Sequence, residues 1–136
     1  MKDYNFIIVE FEEDARLLMR RVMAKCYSSA KIFEAANGQE AVKLYAAHGA
    51  DLMIVDHQIP FLDGLSLVRF LRAQDINIPL LLTSSNPQIE QEAAGAGATR
   101  FLEKRNLFKS LEEALVTWMA AVHVSGTTGT VQDCHT

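Results

Sequence analysis

Short apolar segments alternate with longer segments of helical periodicity along this chain. Residues 6–9 and 52–55 are continuously apolar, and each segment is followed by an acidic residue, Glu10 or Asp56. A continuously apolar strand is typical of a parallel sheet that is buried on both faces. Strands that alternate with helices predict an α/β domain in which helices cover a parallel sheet.

The pattern predicts five strands and five helices in strict alternation. Asn37 is expected to cap the second helix, with Glu40 completing a capping box. Gly95 and Gly97 are expected to keep the fourth helix short. The predicted strands are 6–9, 31–35, 52–55, 78–82 and 100–103, and the predicted helices begin near residues 14, 37, 65, 86 and 107.

The first and last helices each carry an apolar stripe that is expected to face the core. In the first helix, residues 14–25, the stripe includes Leu17, Leu18 and Val22, with Met19 and Met23 as further candidates. The stripe of the last helix consists of Leu107, Leu111, Leu115, Trp118 and Val122.

The composition is that of one ordinary globular domain. Of the 136 residues, 49% are hydrophobic and 22% are charged, a balance that favours a single buried core. We expect this domain to occupy residues 1–124. Residues 125–136 offer no apolar anchor and are expected to form a disordered tail.

Charge and hydropathy argue against several classes of partner. The formal net charge of -4 disfavours direct nucleic-acid binding, which requires clustered Lys and Arg. No apolar segment approaches the ~20 residues needed to span a bilayer, and the N-terminus lacks the layout of a signal peptide. Cys26 and Cys134 are too few for a disulfide framework. We therefore expect a cytoplasmic protein with reduced thiols and no membrane partner.

Polar residues follow the predicted strands and are expected to meet at one edge of the sheet. Ligands of open parallel sheets bind beyond the carboxyl ends of the strands, where this chain supplies Glu10, Glu12, Asp56, Thr83 and Lys104. An exposed carboxylate can attack a phosphoryl group, and neighbouring acids can hold Mg²⁺. A lysine and a hydroxyl can neutralise and hydrogen-bond phosphoryl oxygens.

Three segments carry a resemblance to a known family. They are residues 51–64, DLMIVDHQIPFLDG, residues 78–83, IPLLLT, and residues 97–104, GATRFLEK. In this order and spacing they resemble the response-regulator receiver domain of bacterial two-component systems, over about residues 5–122. The resemblance implies a flavodoxin-like, doubly wound α/β fold with five parallel strands in the order 2-1-3-4-5 and five flanking helices.

The resemblance also implies roles for individual residues. Asp56 would be the phosphoacceptor, assisted by the catalytic residues Thr83 and Lys104. Thr83 and Phe101 would form the switch that reports phosphorylation. The chain would then be a stand-alone response regulator and not an enzyme, apart from self-catalysed phosphotransfer to Asp56 and slow dephosphorylation.

The implied metal site departs from the family pattern. Glu10, Glu12 and Asp56, with the backbone carbonyl of Gln58, would hold Mg²⁺. The family usually has two adjacent acids after the first strand, whereas this chain has Glu10 followed by Phe11. Because Mg²⁺ demands near-ideal octahedral geometry, Mg²⁺ binding is expected to be weakened or absent, with Phe11 packed across the pocket.

The resemblance implies two protein partners. A sensor histidine kinase or histidine phosphotransfer protein would dock on the first helix, at Arg16, Arg20 and Arg21 beside Met19 and Met23. A downstream protein target would bind the face formed by the fourth helix, last strand and fifth helix. The same face is a candidate for homodimer formation.

Three alternative functions remain at this point. A pseudo-receiver would be an interaction module that is not phosphorylated, because Phe11 replaces a metal-binding acid. A haloacid-type phosphatase is disfavoured, because Gln58 occupies the place of the second acid that such enzymes use for leaving-group protonation. A nucleotide-binding domain is disfavoured by the absence of a Gly-rich loop after the first strand.

Overall fold

The computed structural model describes residues 3–124, except for the side chains of residues 119, 120 and 122–124. Strands and helices alternate throughout this range, as predicted. The strands are β1 (Asn5–Val9), β2 (Lys31–Ala35), β3 (Leu52–Asp56), β4 (Leu80–Ser84) and β5 (Arg100–Glu103). The helices are α1 (Glu13–Cys26), α2 (Gly38–His48), α3 (Gly64–Ala73), α4 (Glu90–Ala96) and α5 (Leu107–Val124), with short 3₁₀ turns at Pro87–Ile89 and Lys104–Asn106.

The five strands form one parallel sheet in the order β2-β1-β3-β4-β5, so the predicted flavodoxin-like topology is confirmed. Neighbouring strands are joined in a register that pairs Asp56 with Thr83 at the ends of β3 and β4. The strand order reverses between β1 and β3, and open α/β sheets bind their ligands at such a reversal, beyond the carboxyl ends of the strands.

Each face of the sheet packs against its own group of helices. In β1 the side chains alternate, so that Phe6 and Ile8 belong to one apolar cluster and Ile7 and Val9 to the other. The first cluster includes residues of α1 and α5, and Trp118 packs against it, as predicted. The second includes residues of α2, α3 and α4. All four β1 side chains are therefore fully buried, which explains the uninterrupted apolar segment.

The buried face of α1 differs from the predicted one. The buried residues are Met19, Val22, Met23 and Cys26, which follow the i, i+3, i+4, i+7 spacing of a helix face. Leu17 and Leu18 are exposed, so their assignment to the core is wrong. Met19 and Met23 are also unavailable to a docking partner, because they belong to the core under α1.

The structure contradicts the prediction for Cys26 and does not describe Cys134 or the chain end. Cys26 is disulfide-bonded, so the expectation of reduced thiols is wrong for this residue; Cys134 lies outside the described residues. The predicted disordered tail, 125–136, also lies outside them. Within residues 3–124, no helix is long and apolar enough to cross a membrane.

The predicted boundaries of α2, α4 and β4 can be compared with their hydrogen bonds. Asn37 Oδ1 accepts a hydrogen bond from Glu40 N at 2.9 Å, which confirms the cap. Glu40 Oε2 accepts in return from Ala36 N, one residue before the expected partner. α4 has seven residues and ends at Gly97 in the left-handed conformation. β4 begins at Leu80, two residues later than predicted, just after Pro79, which has no backbone N–H to donate.

The loop between β3 and α3 folds back against the backbone of Asp56 and His57. Gly64 N donates to His57 O at 2.8 Å, and Asp63 caps α3 by accepting from Ser66 N. Phe61 adopts φ +72°, a left-handed conformation that costs a non-glycine residue about 1–2 kcal/mol. The side chain of Phe61 is 91% exposed, so internal packing does not offset this strain.

Gly64 and Gly95 provide a matched test of this loop. A Cβ on Gly64 would lie 2.3 Å from Asp56 O, so we expect Gly64→Ala to destabilise the protein by about 1–3 kcal/mol. Among the described residues outside its own helix, a Cβ on Gly95 would meet no atom within 4 Å. Gly95→Ala should therefore stabilise the protein by up to about 1 kcal/mol. Urea denaturation measures both changes, and equal effects would contradict the close approach at Gly64.

Candidate functional site

Four of the predicted site residues meet at the carboxyl edge of the sheet. Asp56 is the last residue of β3, and Thr83 lies beside it in the register of β4. Glu10 directly follows β1, and Lys104 directly follows β5. The parallel order of the strands thus brings together side chains that are far apart in the sequence.

Asp56 is buried and receives two polar contacts. Its side chain is held by Lys104 Nζ at 3.0 Å from Oδ1 and by Thr83 Oγ1, which donates to the same oxygen at 3.2 Å. The residue is 3% exposed. Both contacts fall on Oδ1, so Oδ2 is the oxygen that the hydrogen bonds of the described residues leave available.

Glu10 is the second buried carboxylate of the site, and it is 1% exposed. Its Oε1 accepts a hydrogen bond from Lys104 Nζ at 2.9 Å, and its Oε2 accepts from Glu12 N at 3.0 Å. Lys104 therefore bridges the two buried acids. Arg16 supports the same loop by donating to the backbone oxygen of Glu10 at 2.7 Å.

The charges of the site shift the pKa values of its members. Burial raises the pKa of Asp56, and the negative charge of Glu10 raises it further; Lys104 and Thr83 act in the opposite direction. Burial alone would lower the pKa of Lys104, but its hydrogen bonds to Glu10 and Asp56 and their negative charges outweigh burial, so the pKa is raised. The lysine is thus strongly held in its charged form.

The side chain of Glu12, another predicted metal ligand, is exposed, although its backbone N–H donates to Glu10. The role of the Gln58 backbone carbonyl as a metal ligand remains a prediction. Within residues 3–124 no group of three His, Cys, Asp or Glu side chains could hold a metal ion. Both Glu10 oxygens are already bonded, and a cation between Glu10 and Asp56 would meet the Lys104 ammonium. In this arrangement the residues do not fit Mg²⁺.

Phe11 does not lie packed across the pocket. It is 58% exposed, so the prediction that it packs there is wrong. Phe11 lies at a bend between β1 and α1, and its ring faces solvent while the side chain of Glu10 is buried against Lys104. The mismatch with Mg²⁺ therefore arises from the missing acid and not from obstruction by the ring.

Phe101 is the aromatic residue of β5 to which the switch role was assigned. It lies on β5 opposite Leu82, is half-buried, and packs against the apolar cluster beneath α3 and α4. Together with Glu90 and Ala94 of α4 it lines a small cleft. The switch roles of Thr83 and Phe101 remain predictions.

Two sets of contacts were not anticipated from the sequence, one beside the site and one at the opposite edge of the sheet, where β4 and β5 begin. Ser84 Oγ lies 3.4 Å from His57 Nδ1 and accepts from Asn86 N; the signal was a serine at the end of an otherwise apolar strand. Arg72 donates to the backbone oxygens of Ile76, Ile78 and Gly97, which ties α3 to the end of α4. Nothing in the local pattern distinguished this arginine from a solvated one.

Comparison with known proteins gives a consistent result. The family model described as "Response regulator receiver domain" matches residues 6–116. The cyclic di-GMP phosphodiesterase response regulator RpfG of Xanthomonas campestris is 31% identical over 104 residues, covering 74% of this chain and 28% of that protein. The response regulator MprA of Mycolicibacterium vanbaalenii is 29% identical, covering 72% of this chain and 42% of that protein.

The first relatives are therefore longer than the chain, which spans less than half of their length. Sporulation initiation phosphotransferase F of Bacillus subtilis is closer in size. It is 26% identical over 106 residues, covering 76% of this chain and 84% of that protein.

Solved structures share the fold at low sequence identity. The receiver domain of the Francisella response regulator 1452 has a TM-score of 0.76 at 21% identity and covers 85% of this chain and 95% of its own. The signal receiver domain of an HD domain-containing protein from Pseudomonas fluorescens has a TM-score of 0.79 at 20% identity, covering 90% of this chain and 99% of its own.

The raised pKa of Asp56 predicts that Asp56→Asn stabilises the protein at neutral pH. Ionisation of a carboxyl whose folded-state pKa is raised costs folded-state stability above that pKa. The cost decreases as the pH falls through the raised pKa towards the ordinary value. The stability difference between Asp56→Asn and the wild type should therefore be largest near pH 7 and disappear near about pH 4.

Urea denaturation across this pH range measures the difference. Glu90→Gln, which removes an exposed carboxyl of α4, controls for the loss of one negative charge. A wild type that is more stable than Asp56→Asn at neutral pH would contradict the unfavourable ionisation of Asp56.

Proposed function

We propose that this chain, which belongs to the response regulator receiver domain family, accepts a phosphoryl group on Asp56 from a histidine kinase or a histidine phosphotransfer protein. The observation that supports the proposal is the convergence of Lys104 and Thr83 on one oxygen of a buried carboxylate. This arrangement leaves Oδ2 for nucleophilic attack and holds a cation and a hydroxyl beside it.

The proposed step is a phosphoryl transfer between two protein side chains. Asp56 Oδ2 attacks the phosphorus of a phosphohistidine, the P–N bond breaks, and its electron pair returns to the imidazole, which takes up a proton. An acyl phosphate remains on Asp56. Lys104 would neutralise charge on the phosphoryl oxygens, and the Thr83 hydroxyl would turn to donate to one of them. Slow hydrolysis of the acyl phosphate would end the signal, without turnover of another substrate.

Receiver domains interact with histidine kinases or phosphotransfer proteins, and we propose that this one does so in the cytoplasm through the α1 side. Support comes from a groove of about 490 Å³ beside Lys104, between α1 and the start of α5. Leu18, Leu107 and Phe108 give it apolar walls. These side chains form the apolar part of the proposed docking surface in place of Met19 and Met23, which are buried. The output would pass through the face of α4, β5 and α5 to a protein target, or to a second copy.

The alternative is a pseudo-receiver that binds a partner without being phosphorylated. Receiver domains typically bind Mg²⁺ at the acidic pocket, whereas the acids of this chain do not fit it as arranged. Engagement of both Glu10 oxygens is the observation that favours this alternative. The retained set of Asp56, Thr83 and Lys104 favours phosphorylation.

Intact-mass spectrometry after incubation with acetyl phosphate tests the proposed function. We expect a single phosphoryl adduct on the wild type and none on Asp56→Asn. Lys104→Met should slow adduct formation about 10²-fold, because it removes a preorganised cation from the transition state. Lys109→Met removes an exposed lysine of α5 and should leave the rate unchanged. No adduct on the wild type, with or without Mg²⁺, would support the pseudo-receiver.

Phe11→Asp tests whether the missing acid explains the poor fit for Mg²⁺. Because Phe11 is exposed, the substitution should leave the fold intact while adding a carboxylate beside Glu10. We expect it to tighten Mg²⁺ binding about tenfold or more, as measured by isothermal titration calorimetry.

Leu17→Asp, which introduces the same charge at an exposed position of α1, is the matched control and should not change the affinity. A wild type that binds Mg²⁺ as tightly as Phe11→Asp would show that Glu10 and Asp56 suffice for the metal.

A further inference from the structure

Lys104 provides a positive charge that the two buried acids of the site share. Its Nζ lies 2.9 Å from Glu10 Oε1 and 3.0 Å from Asp56 Oδ1, and both acids are almost completely buried. Buried carboxylates are costly unless a positive charge compensates them, and here one ammonium serves both. A metal ion that bound these two acids together would therefore have to displace Lys104.

The acids also offer little to a divalent cation. The second oxygen of Glu10 accepts a hydrogen bond from Glu12 N at 3.0 Å, so both oxygens of this carboxylate are engaged. Phe11, the next residue, is exposed and adds no ligand. Two ionised carboxylates and one ammonium leave a single negative charge among these three groups. Mg²⁺ gives up its water reluctantly and needs charged oxygen ligands, so the set favours the ammonium.

The Lys104 ammonium is still able to bind a phosphoryl group. It has three N–H donors, and among the residues that the structure describes it contacts two acceptors, one oxygen of Glu10 and one of Asp56. Its side chain is 29% exposed, in contrast to the acids. Thr83 donates to the same Asp56 oxygen as Lys104, so a group that approaches Oδ2 meets an amine with one donor to spare.

We propose that Lys104, held in place by Glu10, takes the part of the metal at this site, so that phosphoryl transfer to Asp56 proceeds without Mg²⁺. The inference rests on the proposed function, because it concerns the cation that assists phosphoryl acceptance. Asp56 Oδ2 forms the new bond to phosphorus while the bond to the leaving group breaks, and the leaving group keeps the electron pair. The ammonium remains protonated throughout and stabilises charge on the phosphoryl oxygens from a preorganised position. Glu10 is then a positioning residue.

The first test compares phosphorylation with and without metal. The full chain is incubated with acetyl phosphate in excess EDTA or in saturating Mg²⁺, and intact-mass spectrometry follows the adduct. We expect the wild type to form the adduct in EDTA, at a rate that Mg²⁺ changes less than about twofold. Lys104→Met should lose about 10²-fold in EDTA, and Mg²⁺ should restore about tenfold of this loss, because the metal can enter once the ammonium is gone.

The second test measures Mg²⁺ binding by isothermal titration calorimetry and does not depend on a phosphoryl donor. Lys104→Met should bind Mg²⁺ about tenfold or more tightly than the wild type, because it frees both acids. Lys104→Arg keeps a positive charge beside the acids and should bind Mg²⁺ as weakly as the wild type. Lys43→Met, which removes an exposed lysine of α2, is the matched control for the lost charge and should leave the affinity unchanged.

The outcomes separate this inference from the proposed function. A wild type that is phosphorylated only when Mg²⁺ is present would overturn the inference and leave Asp56 as the phosphoacceptor. No adduct under either condition would overturn the proposed function and the inference with it. Equal Mg²⁺ affinities of the wild type and Lys104→Met would show that the ammonium does not exclude the metal. The wild-type comparison needs no substitution, so it decides the question alone where Lys104→Met does not fold.

Discussion

The functional edge of this fold depends on the contact between one ammonium group and two buried carboxylates. Lys104 Nζ lies 2.9 Å from Glu10 Oε1 and 3.0 Å from Asp56 Oδ1. Two carboxylates buried together lose hydration and repel each other, which disfavours their ionised forms. The lysine offsets part of this cost, and the raised pKa of Asp56 shows that it does not offset all of it. The ionised form of Asp56, the residue that is proposed to react, is therefore disfavoured in the folded protein.

This contact is a product of the sheet topology. Glu10 and Lys104 are 94 positions apart in the sequence, and they meet because β1 and β5 both end at the same edge. The β3–α3 loop then packs closely against the backbone of Asp56, because a Cβ on Gly64 would lie 2.3 Å from Asp56 O. Strand order brings the charges together, and the loop limits how far Asp56 can move away from them.

The sequence pattern predicted the elements whose burial is complete. Strands such as β3, buried at every residue, need apolar side chains on both faces, so their segments were recognisable. The face of α1 was predicted less well, because Leu17 and Leu18 are as apolar as Met19 and Met23, and only docking against the sheet decides which are covered. The same holds for Phe11, whose exposure follows from the direction of the loop backbone and not from the chemistry of the ring.

The sequence predicted most residues of the candidate site but not which of them contact one another. Asp56, Thr83 and Lys104 could be predicted because each follows or ends a strand, and parallel strands end at one edge. That Lys104 would bind Glu10 as well as Asp56 could not be predicted, because the pattern does not reveal which oxygens are within reach of its amine. Glu12 was predicted as a ligand, yet it is its backbone N–H that enters the site, by donating to Glu10.

Under the proposed function, this double contact links the phosphoacceptor to the start of α1. A phosphoryl group carries close to two negative charges at neutral pH, so it would compete with Glu10 for the Lys104 ammonium. Glu10 would then be left buried with its other oxygen still bonded to Glu12 N, and a buried carboxylate without its cation is costly. The free energy gained at the phosphoryl group would thus be partly lost at Glu10, unless the β1–α1 loop moves to restore hydration. The same competition gives Glu10 a restraining role that a metal ligand would not have, because it holds Lys104 in place before the phosphoryl group arrives.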